Sequence, residues 1–483
     1  MHSSHPTPPT TPLFVDLDGT LTPTDTLLEG AFALIRKQPS SLLKLPFWLL
    51  RGRAALKANI ARDTRIDAAN LPYHASLLDY LREQRAGGRR IYLATASHQQ
   101  TADAVANHLE LFDGVIASDA SSNLKGRTKL AAIQSMAGGD FAYAGDAAAD
   151  LPIWQQAQAA ILVGTSPKVG AEVRLHTPVE AEFSHPRADL RVWLRALRIH
   201  QWLKNLLIFV PLLTAFSFFD LGKLGAALLA FVSFSLAASA TYLLNDLWDL
   251  DNDRVHPRKR SRPFASGRLG IPQGLGAAAL MLTAALAMAG SVSGGFLAML
   301  LVYLVATSAY SWRLKQYVLI DVLTLSLLYT LRILAGAVAI NVATSPWLLA
   351  FSVFLFLSLA LIKRCSELIS LEQLGQTTTR GRDYRVSDQQ VLTPLGVAAA
   401  LSAVVIFGLF ITTPDTTQHY TQPQLLWFTG VGLIYWLARL WIKTVRGEMH
   451  DDPIIFALKD FGSQVTIAIM LAATLAARFL PIY

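Results

Sequence analysis

Four side chains at the end of an apolar run call for a ligand rather than for packing: Asn245, Asp246, Asp249 and Asp253, within TYLLNDLWDLDNDRVHPRKRSRPFASG. Asn245, Asp249 and Asp253 recur every fourth residue and Asp246 stands three before Asp249, which predicts one shared helix face. Hard oxygen donors gathered in this way suit Mg²⁺, which binds through a few carboxylates and substrate phosphates. A solvated polar helix end is the other reading, but unpaired carboxylates at a membrane boundary are costly without a ligand. The cations that follow, Arg258, Lys259, Arg260 and Arg262, could neutralise further phosphate charge or simply mark the side of a membrane on which the loop lies.

A second set lies far upstream. LFVDLDGTLTPTDT places Asp16 and Asp18 just after a short β-rich run, and Thr95 ends the strand IYLATAS. Lys129 follows in LKGRTKL, then Asp146 and Asp150 in YAGDAAAD. The D-x-D-G-T stretch and the three later pieces, in this order over about residues 11–175, resemble haloacid dehalogenase-like phosphatases. Strand ends of an open α/β sheet converge at one edge, so residues this distant can meet. The resemblance implies Asp16 as the nucleophile that takes the phosphoryl group and Asp18 as the acid and then the base. It also implies Thr95 and Lys129 as phosphate holders, and one Mg²⁺ on Asp16, Asp146 and the backbone carbonyl of Asp18, supported by Asp150.

These two sets need different scaffolds. The chain of 483 residues is 52% hydrophobic and 16% charged, too apolar for an ordinary soluble enzyme. Up to about Arg198 it reads as a mixed, charged, soluble sequence, and the composition shifts between Pro186 and Ile199. We therefore expect a tail at 1–12, an α/β Rossmann-like domain at 13–185, a linker and interfacial segment at 186–202, and an all-α membrane bundle at 203–483. Runs of spanning length at 203–219, 224–246, 275–291, 295–311, 317–340, 346–362, 391–413, 424–442 and 463–480 predict about nine membrane helices. The first twelve residues do not resemble a secretory signal, and the single Cys365 excludes an internal disulfide.

Charge placement orients the bundle. Alternate loops hold Arg254 to Arg268, Arg313 and Lys315, Lys363 and Arg364, Arg380 to Arg385, and Lys443 and Arg446. The opposite loops are SVSGG, NVATS and a Thr/Gln/Pro stretch, with Lys223 near the remaining turn. This asymmetry predicts a cytoplasmic N-terminal domain in a membrane such as the bacterial inner membrane. The net charge of +8 then reflects loops and anionic lipid, not nucleic acid.

Residues 26–78 form an insert that resembles a helical cap. Within it, SSLLKLPFWLLRGRAALK sets Leu, Phe and Trp beside Lys and Arg, which fits cap core and, as the alternative, a segment resting on the bilayer.

N-D-x-x-D-x-x-x-D followed by R-P-x-x-S-G resembles the first motif of the UbiA superfamily of intramembrane prenyltransferases, with the likeness covering about residues 195–483. The family implies nine helices, a cavity open to lipid, and one or two Mg²⁺ ions on Asp246, Asp249 and Asp253. Tyr310, Lys315, Asp321, Arg332 and Gly336 lie in a run that resembles the family's fifth-helix region. Arg332 sits well inside an apolar segment, where an arginine is by default functional, although a buried pair with Asp321 would also explain it.

The chain departs from the family after the sixth apolar run. A second D-x-x-x-D motif is missing from LIKRCSELISLEQLGQTTTRGRDYRVSD, where Lys363, Arg364 and Glu367 stand out instead. Lys363 and Glu367, four apart, could be a helical ion pair or part of a phosphate clamp. The KR-x-x-EL block with the later R-x-x-Y, ending at Tyr384, resembles the branch that makes decaprenylphosphoryl phosphoribose. That branch implies phosphoribosyl pyrophosphate as the diphosphate partner and a polyprenyl phosphate as the nucleophile, with the phosphatase half removing the 5-phosphate. The rivals are a prenyl diphosphate:acceptor transferase with an unrelated phosphatase, and a transporter or lipid-binding protein with a regulatory soluble module.

Overall fold

The computed structural model describes residues 11–119, 122–184, 188–375, 377, 382–449 and 452–480. Most of the expected tail, Pro186 in the expected linker, and the loop residue Arg380 lie outside them. The chain divides into two compact units, Met1–Ile199 with Tyr242–Ala279, and His200–Thr241 with Leu280–Tyr483. The first therefore includes the acidic helix end and the loop after it, which the sequence reading had assigned wholly to the membrane part.

In the first unit, six parallel strands form one sheet in the order β3-β2-β1-β4-β5-β6. They are β1 (Leu13–Val15), β2 (Ile91–His98), β3 (Gly114–Ser118), β4 (Ala142–Gly145), β5 (Ala159–Val163) and β6 (Val179–Phe183). β1 lies between β2 and β4, with Val15 level with Leu93 on one side and Ala144 on the other. Its residues LFV are all buried, as a strand covered on both faces by helices requires. The order reverses direction between β1 and β4, and in such sheets the crevice at that switch point receives ligands. Between β1 and β2 the chain makes the cap, which begins with the helix Thr26–Lys37.

One expectation about the cap is corrected here. Leu43 and Leu50 are 83% and 86% exposed, Leu42, Phe47 and Leu49 are also exposed, and the helix Leu45–Leu50 buries no residue. The apolar stretch is not cap core, because Lys44, Arg51 and Gly52 break its periodicity and leave no face to pack inward.

Among the described residues, eight helices are long and apolar enough to cross a membrane: Leu221–Trp248, Ile271–Val292, Gly294–Trp312, Ile320–Ala339, Pro346–Gln373, Val386–Ile411, Pro423–Val445 and Phe461–Phe479. The first of the nine expected spans differs, since residues Ile199–Phe209 form a 3₁₀ helix followed by the short helix Val210–Thr214. Pro211 has no amide to continue a helix through the run, and Phe216 adopts the left-handed φ of 50° that ends it. Asn205 also turns inward, donating to Ser235 Oγ at 3.0 Å. The second unit's core is built on Pro346–Gln373 and its neighbours, where Leu361, Ile362, Cys365, Leu440 and Trp441 are buried together.

Candidate functional sites

Asp16 leaves the end of β1 and meets residues from three other segments. Its Oδ2 lies 2.9 Å from the Lys129 ammonium, which is 3.6 Å from Asp150. Lys129 comes from the first turn of the helix Arg127–Ala137, and Asp150 from the short turn after β4. Tyr143 on β4 links them, accepting from Lys129 at 2.9 Å and donating to Asp150 at 2.9 Å. Among the described residues, the one group of three metal-ligating side chains whose donor atoms all lie within 4.8 Å of one another is Asp16, Asp146 and Asp150.

The donor set fits Mg²⁺, being wholly carboxylate oxygen. Gly19, at φ 77°, leaves open a space where a Cβ would run into the Asp146 carboxylate. Burial pushes the Asp16 carboxyl up to about 6, against the pull of Lys129. Burial, with Asp16 and Asp150 adding to it, raises Asp146 to about 7. Burial is the larger cause of both shifts, and the neighbouring carboxylates add to it. Burial works against the Lys129 ammonium, but Asp16 and Asp150 outweigh it and hold it above the usual lysine range.

Asp18 belongs to a different network. It accepts from the Thr26 amide at 2.9 Å and from the Ser97 hydroxyl, and Ser97 and Thr26 are themselves bonded at 2.7 Å. Burial raises its carboxyl, with Asp25 adding to the shift, which suits a group that must carry a proton. Thr95, fully buried on β2, accepts from the Ser97 amide at 3.0 Å. The sequence reading missed Thr26, Ser97 and Tyr143. It also missed Lys57, whose ammonium reaches the Ala96 carbonyl and Asn123 Oδ1 at the edge of a cleft lined by Thr26, Ser97 and His98.

The acidic helix end differs from the expected single face. The helix Leu221–Trp248 stops at Asp249, whose φ of −90° and ψ of 12° start the short helix Leu250–Val255. Asp246 and Asp253 converge on Arg262, whose Nη1 lies 3.2 Å from Asp246 and 2.6 Å from Asp253. Arg198 also pairs with Asp246 at 2.5 Å, and Lys259 lies 3.8 Å from Asp253. Asp249 is half-buried one turn past Asn245 and enters none of these pairs. Asp253 Oδ1 is buried with no hydrogen-bond donor among the described residues, so an oxygen-seeking cation fits the donors here too. Arg258 is exposed, and its amide donates to His256.

In the second unit, Arg332 is 7% exposed and does not pair with Asp321. It donates instead to Asn205 Oδ1 at 2.9 Å, to the Leu328 carbonyl and to the Tyr303 hydroxyl. Asp321 is taken by Arg364 at 2.8 Å and by the Tyr384 hydroxyl. Arg364 and Tyr384 are thus buried, at 2% and 1% exposed, and both engage Asp321. Glu367 pairs with Arg364 and Arg382, not with Lys363. Lys363 turns to Asp452 at 3.5 Å, which Lys204 also reaches, at 3.1 Å. Tyr310 lies in the last turn of Gly294–Trp312 and Lys315 in the turn Leu314–Gln316, both half-buried.

Comparison with known proteins places both halves. The haloacid dehalogenase-like hydrolase profile matches residues 13–155. The "Uncharacterized protein y4nM" of Sinorhizobium fredii is 42% identical over 96% of this chain and 90% of its own length. "Nodulation protein NoeC" of Azorhizobium caulinodans is 37% identical over 56% of this chain and 88% of its own. "Decaprenyl-phosphate phosphoribosyltransferase" of Mycobacterium tuberculosis is 30% identical over 59% of this chain and 92% of its own. The UbiA prenyltransferase family profile matches residues 206–459, more than half of the chain. The chain therefore belongs to the UbiA prenyltransferase family, as an integral membrane enzyme with a haloacid dehalogenase-like domain at its N-terminus.

Proposed function

We propose that the membrane part, about residues 203–483, joins a polyprenyl phosphate to phosphoribosyl pyrophosphate, and that the phosphatase part, about residues 13–185, then removes the 5-phosphate. The observation that carries this reading is the basic pair Lys363 and Arg364 in the run where a prenyl diphosphate enzyme would place a second acidic motif. Arg364 is paired with Asp321 and Glu367, and Lys363 reaches Asp452 together with Lys204. Anionic partners on both sides of the reaction need such cations. The mycobacterial relative named above supports the same pair of substrates.

In this account an oxygen of the lipid phosphate forms a bond to C1 of the ribose as the C1–O bond to pyrophosphate breaks, and the pyrophosphate leaves with the bonding electrons. Asp246, Asp249 and Asp253 would hold Mg²⁺, which neutralises charge on the diphosphate when bound. Arg262, now between Asp246 and Asp253, is placed to follow charge onto the leaving group. Lys259 and Arg258 add positive potential to the same loop, and Asn245 fixes its helical end. Tyr310 and Lys315 are taken as further substrate contacts.

In the phosphatase part, Asp16 attacks phosphorus, Asp18 protonates the leaving ribose oxygen and then draws a proton from water, and Thr95 and Lys129 hold the phosphoryl oxygens. Asp16, Asp146 and Asp150 would hold the Mg²⁺, together with the backbone at Asp18. The loop charges support a bacterial inner membrane location with the phosphatase domain in the cytoplasm.

The test uses purified full-length protein with polyprenyl phosphate, ribose-labelled phosphoribosyl pyrophosphate and Mg²⁺. Label should enter the lipid phase, and in Asp16→Asn it should keep its 5-phosphate. Label that stays in the aqueous phase, while a labelled prenyl diphosphate is consumed, overturns the donor assignment.

A further inference from the structure

Strand β2 loses its register where the phosphatase site begins. Ala94 lies level with Ile116 of β3, but His98 lies level with Ser118, so four steps along β2 answer two along β3. Thr95, Ala96 and Ser97 fill the irregular stretch, and an irregularity of this kind at a strand end re-aims side chains. Side chains hold the stretch in place. The Ala96 carbonyl accepts from Ser118 Oγ at 2.7 Å and from the Lys57 ammonium of the cap at 2.5 Å, and the Ser97 amide donates to Thr95 Oγ1 at 3.0 Å.

This stretch directs one hydroxyl. Ser97 Oγ donates to Asp18 Oδ2, and since a hydroxyl has one proton to give, Ser97 must accept from Thr26 Oγ1, 2.7 Å away. Thr26 also gives its amide to Asp18 Oδ1 at 2.9 Å. Both carboxylate oxygens are therefore anchored, one from β2 and one from the first residue of the cap helix Thr26–Lys37. Two anchors fix the plane of a carboxylate, whereas a single one leaves it to turn about a soft terminal torsion. Each oxygen keeps a second lone pair, so a proton can still be carried toward a substrate. Ser97 and Thr26 are both buried, which keeps water from replacing either hydroxyl.

The need for a fixed plane comes from the chemistry. As an Asp16 oxygen forms its bond to phosphorus, the bond from phosphorus to the ester oxygen breaks, and that oxygen leaves with the electron pair and takes the proton from Asp18. Asp18, now a carboxylate, then takes a proton from the water whose oxygen displaces Asp16 from phosphorus. One carboxyl must meet two different oxygens in turn, and each transfer needs hydrogen-bond reach and alignment.

We propose that Ser97 is a positioning residue that sets the plane of the Asp18 carboxyl, with the Thr26 hydroxyl of the cap holding Ser97 in turn. The proposal deepens the phosphatase reading above and rests on its assignment of Asp18 as acid and base.

The test compares kcat/KM of the full chain for phenyl phosphate, whose leaving oxygen needs a proton, and for dinitrophenyl phosphate, whose leaving oxygen does not. Ser97→Ala should lower the first by about tenfold to a hundredfold, part of the effect of a general acid, and the second by less than about threefold. Thr26→Val keeps the amide on Asp18 and should show the same pattern, with a loss of roughly threefold to tenfold on phenyl phosphate. Asp18→Asn should show the pattern too, and adding Ser97→Ala to it should lower phenyl phosphate turnover no further, because the acid that Ser97 serves is gone. A hydroxyl that only supports the fold predicts equal losses on the two esters and a further loss in the double variant, and either result overturns the proposal. If Ser97→Ala does not fold, equal losses in Thr26→Val overturn it. Asp18→Asn without the pattern overturns the acid assignment and this proposal together, whereas the pattern in Asp18→Asn but not in Ser97→Ala overturns the proposal alone.

Discussion

Glu29 and Arg254 form a two-point ion pair, Nη2 to Oε1 at 2.6 Å and Nη1 to Oε2 at 3.0 Å, with both side chains almost wholly buried. Glu29 belongs to the cap helix whose first amide, at Thr26, holds Asp18. Arg254 follows Asp253 in the acidic turn, and Arg36 of the same cap helix pairs with Asp251. Two candidate catalytic regions are thus tied through one helix. Removing one partner leaves a buried charge, so Glu29→Gln should cost about 3 to 5 kcal/mol in stability. Glu29→Gln with Arg254→Met should recover part of that loss, and a double-mutant cycle on unfolding of the first unit measures the coupling. Purely additive losses would contradict the pairing.

The proposed phosphatase chemistry is expected to run independently of the proposed membrane chemistry. Asp16→Asn should lower release of phosphate from a small aryl phosphate by roughly three orders of magnitude or more, as loss of a nucleophile does. Pyrophosphate release by the membrane part should persist in that variant.

Metal and pH are linked in the first unit. The Asp16 and Asp146 carboxyls sit at about 6 and about 7, above their ordinary range, chiefly through burial. Their contribution to the stability of the metal-free protein is present at low pH and lost as pH rises through those values. Metal-free protein should therefore melt at a lower temperature at pH 8 than at pH 5.5, acid effects elsewhere being removed by comparison with Asp16→Asn/Asp146→Asn. Mg²⁺ should restore most at pH 8, and its apparent affinity should fall as protons compete below about pH 7.

The exposed cap leucines make a fourth expectation. With Lys44 and Arg51 beside them, Leu43 and Leu50 fit contact with a bilayer surface. Leu43→Ser/Leu50→Ser should lower kcat/KM several-fold for a lipid-borne phosphate and leave aryl phosphate turnover unchanged. Equal effects on both substrates would return these residues to a structural role.

Much of this arrangement was legible in the chain. The phosphatase residues were picked out by their resemblance to haloacid dehalogenase-like motifs, and the fold brings Asp16, Lys129, Asp146 and Asp150 together. Length and hydropathy located eight of the nine expected spans, while the first, 203–219, folds as a 3₁₀ helix and a short α-helix. The partners of buried charges were not legible, because side-chain pairing across helices leaves no trace in local spacing. Four-residue spacing suggested Lys363 with Glu367, and helical phase suggested Arg332 with Asp321, yet packing joins Arg364 to both acids. Asp452, 89 residues beyond Lys363, could not be foreseen as its partner. The break at Asp249 was hidden for a related reason, since the Asp249 amide still donates to the Asn245 carbonyl and the Asp253 amide to the Asp249 carbonyl, which keeps the helical spacing across it. Lys204, a cation inside an apolar run, was the one overlooked signal that general rules could have caught.

The central claim is that the carboxylates ending Leu221–Trp248 serve the diphosphate. Asp249 tests it most directly, because it stands outside the pairs that Asp246 and Asp253 make with Arg198, Arg262 and Lys259. Pyrophosphate release from phosphoribosyl pyrophosphate and polyprenyl phosphate should fall to background in Asp249→Asn, while aryl phosphate hydrolysis by the same chain stays at the wild-type rate and reports correct folding. Undiminished pyrophosphate release from that folded variant would contradict the account.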